Sequence, residues 1–201
     1  MGDRDFVDLL RPHLEHDNKN MRRTTIQAIL KIGAAGVEAE MIDAIDNAGW
    51  RNFVTMQYIA RVRGERARNR VTESVRDHFE HGMPSRDASN RHVENLGRFD
   101  DPEVVDELLL FLDHDDQGVR RRAIEALGRI GHDSATPKLL EALADPMNGE
   151  LRHYAVVALE RIGDQRAETA LVELLDDQSY SVRILAAWAL RTVGRADGAQ
   201  A

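Results

Sequence analysis

The sequence predicts an all-α fold, an α-solenoid of about six helical hairpins stacked in a row. Three observations carry that expectation. A thirteen-residue pattern recurs with offsets of 32 and 31 residues, at 119–131, 151–163 and 182–194. Within each copy the apolar positions fall at i, i+4, i+7, i+8 and i+11, which share one face of a helix. Aromatic residues make up only 5% of the chain. The core must therefore be built from Leu, Ile, Val and Ala, which suits close helix-on-helix packing.

Each copy opens with an aliphatic residue followed by Arg, continues through Ala and Ala-Leu, and closes on an aliphatic-Gly pair. In the first copy these are Val119, Arg120, Ala123, Ala126, Leu127, Ile130 and Gly131. Ala155, Ala158, Leu159, Ile162 and Gly163 fill the places in the second, and Ala186, Ala189, Leu190, Val193 and Gly194 in the third. Alanines on the apolar face let two backbones approach closely, and the closing Gly supplies a left-handed helix C-cap. Looser copies occupy 21–33 and 88–100, where His92 and Asn95 stand in for two alanines, and a degenerate one spans about 50–64.

A shorter amphipathic run precedes each copy, at 6–14, 37–45, 71–79, 104–112, 135–143 and 167–175. The pairs define repeats at about 3–33, 35–64, 66–100, 101–131, 133–163 and 165–194. Together they form one array over 1–194, followed by a disordered tail at 195–201. One hairpin cannot bury its own apolar stripe, so neighbours stack. Gly82-Met83-Pro84-Ser85 breaks the chain sharply, and the irregular stretch 34–100 is where different curvature or a hinge is expected. Met41, Trp50, Met56 and Tyr58 in that stretch are read as core.

Composition narrows the function. The chain lacks cysteine, which removes disulfides, thiolate nucleophiles and Cys-based zinc sites together. Its N-terminus is charged, without an apolar signal core, and no run approaches the roughly 20 apolar residues that span a bilayer. The expectation is a soluble, cytoplasmic protein. The net charge of −8 repels nucleic acid and anionic membranes wherever basic residues are not segregated.

The repeated Arg, Ala, Ala-Leu and aliphatic-Gly places resemble the HEAT family, in particular the short-repeat subgroup named after the phycobilisome lyases. The resemblance covers nearly the whole chain and is strongest over 101–194. It implies an α/α superhelix whose second helices line a concave surface. It is specific for fold and not for function. In HEAT proteins the Arg after the leading aliphatic bonds an Asp of the preceding turn or of a neighbouring repeat. The resemblance therefore implies a structural ladder for Arg22, Arg120, Arg152 and Arg183, with Asp17, Asp115, Asp116, Asp145, Asp176 and Asp177 as partners. HEAT-like deoxyhypusine hydroxylases hold iron through His-Glu pairs. Here the order is reversed, Glu15-His16 and Glu80-His81, so that reading is rejected and the histidines are taken as solvated. No nucleophile elbow or phosphate-cradling loop is present. We expect no catalytic residues, no cofactor and no metal.

What remains is the face of the second helices opposite the apolar stripe. In the fourth repeat it carries Arg121, Glu125, Gly128 and Arg129, flanked by Arg122. The fifth carries His153, Val157, Glu160 and Arg161, flanked by Tyr154. The sixth carries Ile184, Trp188, Arg191 and Thr192, flanked by Leu185, and the third adds Arg91 and Arg98. Ile184, Leu185 and Trp188 are too apolar for a solvated surface, and with Tyr154 and Val157 they predict a patch of the kind that marks interfaces. The expected function is a non-catalytic scaffold or adaptor that binds another protein on this face. A homodimer contact through the C-terminal repeat is an alternative use of the patch. Two further alternatives are a lyase-like, chromophore-handling role through His153, Tyr154 and Trp188, and nucleic-acid binding through Arg91, Arg98, Arg121, Arg122 and Arg129. The net charge disfavours the last.

Overall fold

The computed structural model describes residues 3–32, 36–47, 59–62, 64–81, 85–144 and 151–194. The expected tail at 195–201, the break at 82–84, Gly33, Trp50, Met56 and Tyr58 lie outside them. Among the described residues every regular element is helical, and the fold is of the α-solenoid class. The chain divides into two compact units, Met1–Glu80 and His81–Ala201.

In the first unit α1 (Asp3–Leu10) runs into a 3-10 turn at Arg11–Glu15 and packs on α2 (Lys19–Ile32). Next come α3 (Glu38–Asn47), helical residues 59–62 and α4 (Glu65–Glu80). Leu14, Ile26, Ile29, Met41 and Ile42 are sealed in its core, so Met41 serves packing as expected.

The second unit opens with α5 (Arg86–Leu96). A short first helix then alternates with a longer second one: α6 (Val105–Leu109), α7 (Gln117–Ile130), α8 (Thr136–Ala144), α9 (Arg152–Ile162), α10 (Glu168–Glu173) and α11 (Tyr180–Val193). The first helices are extended by 3-10 turns such as Pro102–Val104 and Leu110–Asp113. α9 packs against both α7 and α11. The predicted stripe is the buried one: Val119, Ala123, Ala126 and Leu127 are matched by Leu151, Ala155, Ala158 and Leu159, and by Val182, Ala186 and Ala189. His92 and Asn95 occupy the two alanine places on α5 and are buried as well.

The turns repeat as faithfully as the stripe. Arg22 donates to the carbonyls of His16 and Asp17 at 2.6 and 3.0 Å. Arg120 donates to those of His114 and Asp115 at 2.6 and 2.9 Å, and Arg183 to those of Asp177 and Gln178 at 2.7 and 3.2 Å. The ladder Arg is structural, as expected, but in these three repeats it bonds backbone oxygens, the carbonyls that a tight turn leaves without ladder partners. Arg152 follows the carboxylate pattern, pairing with Asp177 of the next repeat at 3.1 Å.

The first residue of each such turn bonds the backbone N–H two places on. His16 Nδ1 accepts from Asn18, His114 Nδ1 from Asp116 and Asp177 Oδ1 from Ser179. Imidazole thus does the work of an Asx side chain. His114 and His92 are buried, which corrects the reading of the histidines as solvated. The first helices have their own caps. Asp101, His132 and Asp164 accept from the N–H two residues on at 3.0, 3.4 and 2.9 Å.

The closing glycines split. Gly131 and Gly163 take left-handed φ values of 71° and 72°, as a C-cap requires. Asp100 takes 51° at the matching place after α5. Gly194 has φ −72°, so the sixth copy lacks the left-handed cap predicted for it.

Candidate functional site

α7, α9 and α11 present equivalent outward positions because each buries the same stripe. Glu125, Val157 and Trp188 form one such row. Glu125 is exposed, Val157 half-buried, and Trp188 is 58% exposed. Arg121, His153 and Ile184 form a second row, and Arg122, Tyr154 and Leu185 a third. Of these six, Arg122 is exposed and the others are half-buried. The sixth-repeat members, Ile184, Leu185 and Trp188, are the apolar set predicted, and Trp188 is an indole standing largely in solvent.

The first turns of α7, α9 and α11 converge on a cleft of about 590 Å3. Arg121, His153 and Tyr154 line it together with Gln117, Gly118, Leu151, Ser179, Ser181 and Val182. The His153 ring lies against the Tyr154 ring with centroids 3.7 Å apart and planes tilted by 41°. The Arg121 guanidinium carbon is 5.6 Å from the Tyr154 ring centroid, and its Nη1 reaches the Tyr154 hydroxyl at 3.5 Å. The Tyr154 hydrogen bond and, after it, the Glu125 carboxylate raise the Arg121 pKa above its ordinary value. The cleft therefore combines a fixed cation, a pair of neighbouring tilted rings and two serines, a mixture able to orient a planar or acidic group.

Sequence reasoning found three of the lining residues and missed the others. The outward face was read along the second helices, whereas the cleft also takes in the turns that lead into them. The signal was available in Gly118 and Ser181, small residues that sit at the same place in their repeats.

The remaining candidates are dispersed. Arg91, Arg122 and Arg161 are exposed on α5, α7 and α9. Arg98 is half-buried and bonds Glu94 at 2.6 Å. Arg129 reaches back to the preceding repeat, donating to the Gly97 carbonyl, with its Nε 3.9 Å from Asp100. That places a cation at the C-terminal end of α5, where helix carbonyls are unsatisfied. Gly128, assigned to the open face by helical angle, is buried. A Cβ there would lie 2.7 Å from the Ala158 Cα. Among the described residues no helix is long and apolar enough to cross a membrane.

Residues 83–153 and 136–201 match the model of HEAT repeats. Over 71 residues the chain is 39% identical to the uncharacterized phycocyanin operon protein Z of Pseudanabaena tenuis (strain PCC 7409), covering 33% of this chain and 35% of that protein. Among solved structures it resembles the complex of CpcE and CpcF of phycocyanin lyase from Nostoc sp. PCC7120. That likeness has 16% identity and a TM-score of 0.50 over 94% of this chain and 65% of the other. It also resembles an engineered protein with 18% identity and a TM-score of 0.50, over 94% and 58% of the two chains. The chain thus spans about a third of the curated relative and just under two thirds of the lyase chain. Likenesses at these identities establish the fold.

Proposed function

Because this chain belongs to the HEAT-repeat family, we propose that it is a protein-binding scaffold that grips its partner on the outward face of α7, α9 and α11. The observation that carries the reading is Trp188, 58% exposed, with half-buried Ile184 and Leu185 on the same helix and Tyr154 and Val157 on the helix before it. Large aromatic side chains in solvent are a standing liability and a favoured anchor for a partner. The Arg121–Tyr154 pair beside the cleft supplies a polar rim and favours a partner that presents acidic groups around an apolar centre.

The test is copurification from native cells, followed by a binding titration with the purified partner. Trp188→Ala and Tyr154→Ala should each weaken binding at least tenfold. If both variants hold every partner as tightly as the parent chain, the reading fails.

A second reading has a specific observation behind it. The adjoining His153 and Tyr154 rings beside Arg121 border a cleft whose volume suits a small ligand. Among the similar proteins are a phycocyanin operon protein and phycocyanin lyase chains. On that reading the chain handles a bilin chromophore. Mixing it with a bilin should shift the pigment's absorbance, and Tyr154→Ala should abolish the shift.

A further inference from the structure

Repeats four and five each bury one side against the repeat that follows. The places on that side can be read from the burial pattern, and in repeat six they are open. Leu112 and Leu143 are 6% and 7% exposed, whereas Leu175 at the matching place is 38% exposed. Ile124 and Val156 are buried, whereas Ala187 is exposed. Leu109 and Leu140 are half-buried, whereas Val172 is 51% exposed. Leu127 and Leu159 are buried, whereas Leu190 is half-buried.

Two residues on this side also change character. Val105 and Thr136 are buried, but their counterpart is an exposed acid, Glu168. Gly128, the place that touches Ala158 of the next repeat, is half-buried Glu160 in repeat five and becomes an exposed base, Arg191, in repeat six. Neither Glu168 nor Arg191 has an ion-pair partner among the described residues.

We propose that this side of the sixth repeat is a self-complementary surface that pairs with the same surface of a second copy of the chain. α10 and α11 are antiparallel partners of one hairpin, so Glu168 at the start of α10 and Arg191 in the last turn of α11 lie at the same end of it. A two-fold axis parallel to the helices then sets α10 of one copy on α11 of the other. Glu168 meets Arg191 of the second copy, and the reverse contact forms by symmetry. Helices rise equally per residue. Four residues on along α10 and four back along α11, Val172 therefore meets Ala187, a large side chain against a small one. Leu175 and Leu190 extend the apolar strip to either side. The charges fix the register and the aliphatic groups supply the attraction. Trp188 and Tyr154 belong to another face and are not used.

The experiment is sedimentation equilibrium of the full 201-residue chain over a range of micromolar concentrations. A species of twice 22.7 kDa is expected, with no growth beyond it. Ala187→Glu, at an exposed position that folding does not need, should weaken the dimer at least tenfold with an unchanged circular dichroism spectrum. Glu168→Arg and Arg191→Glu should each weaken it at least tenfold, and the two together should restore it, because the swapped charges again face opposite partners. A 22.7 kDa species at all concentrations overturns the proposal, since Glu168 and Arg191 would then be a polar cap. Oligomers that grow with concentration, a dimer indifferent to Ala187→Glu, or a double swap that fails to restore pairing overturn it too.

Discussion

Arg120, Arg22 and Arg183 tie down the turn carbonyls in front of their helices, and the two bonds to each carbonyl pair make the guanidinium hard to replace. Removing it strands two backbone acceptors beside a packed helix end. Arg120→Ala should therefore lower stability by about 1–3 kcal/mol in urea titration. Arg120→Lys should recover only part of this, since both bonds leave the one Nη1 and the shorter lysine stem does not carry its ammonium to that position. Asp164 is the other decisive single residue. Burial alone would raise its pKa, but bonds from the Arg166 side chain and backbone outweigh that and hold it below the ordinary carboxylate value. A carboxylate with a depressed folded-state pKa contributes stability above its unfolded pKa of about 3.9 and loses it as pH falls through the folded value. Asp164→Ala should cost about 1 kcal/mol at neutral pH as a lost cap. The gap to the parent chain should close as the titration is repeated below pH ~4.

At the scale of elements, the spacing of second helices is decided by small residues at their crossings. Gly97 faces Ala126, and Gly128 faces Ala158. Gly128→Ala adds about 1 kcal/mol of helix propensity but forces a methyl group to 2.7 Å from the Ala158 Cα. Overpacking of this sort costs about 1–3 kcal/mol. Backbone contacts cannot yield as a side chain can, so the net change should be a loss, read as a lower midpoint in thermal denaturation. Adding Ala158→Gly should not rescue the variant, because the obstructing atom is the Cα and not only the methyl. Arg129 adds a second tie at the preceding crossing by capping Gly97.

For the whole molecule, folding and partner capture fall on different faces of the same helices and should separate by mutation. Leu127 is sealed on the inner side of α7, and Leu127→Ala should cost about 2–5 kcal/mol. Trp188 stands in solvent, and Trp188→Ala should change stability by no more than about 0.5 kcal/mol while weakening partner binding. Measuring denaturation and binding on the same preparations checks both. Loss of fold in the Trp188 variant would mean that the indole is structural.

The helical repeat was legible in the sequence because its cause is local and periodic. A stripe with 3.6-residue spacing, restated every 31 or 32 residues, specifies both the helix and the surface it must bury. The inward residues and the exposure of Trp188 follow from that one period, and the structural role of the ladder arginines was what the resemblance to the HEAT family implied. The tertiary structure decided what depends on neighbours brought close in space. Helical angle alone put Gly128 on the open face, because a missing side chain has no hydropathy and its use appears only when Ala158 arrives. Arg129 looked like one of a row of free cations until the end of α5 was placed beside it. His114 reads as an ordinary polar residue until its turn closes and its ring nitrogen takes a backbone N–H. The cleft at the starts of α7, α9 and α11 belongs to no single repeat. It exists because three helix ends, each some 31 residues from the next along the chain, are held side by side by packing that the period predicts but does not locate.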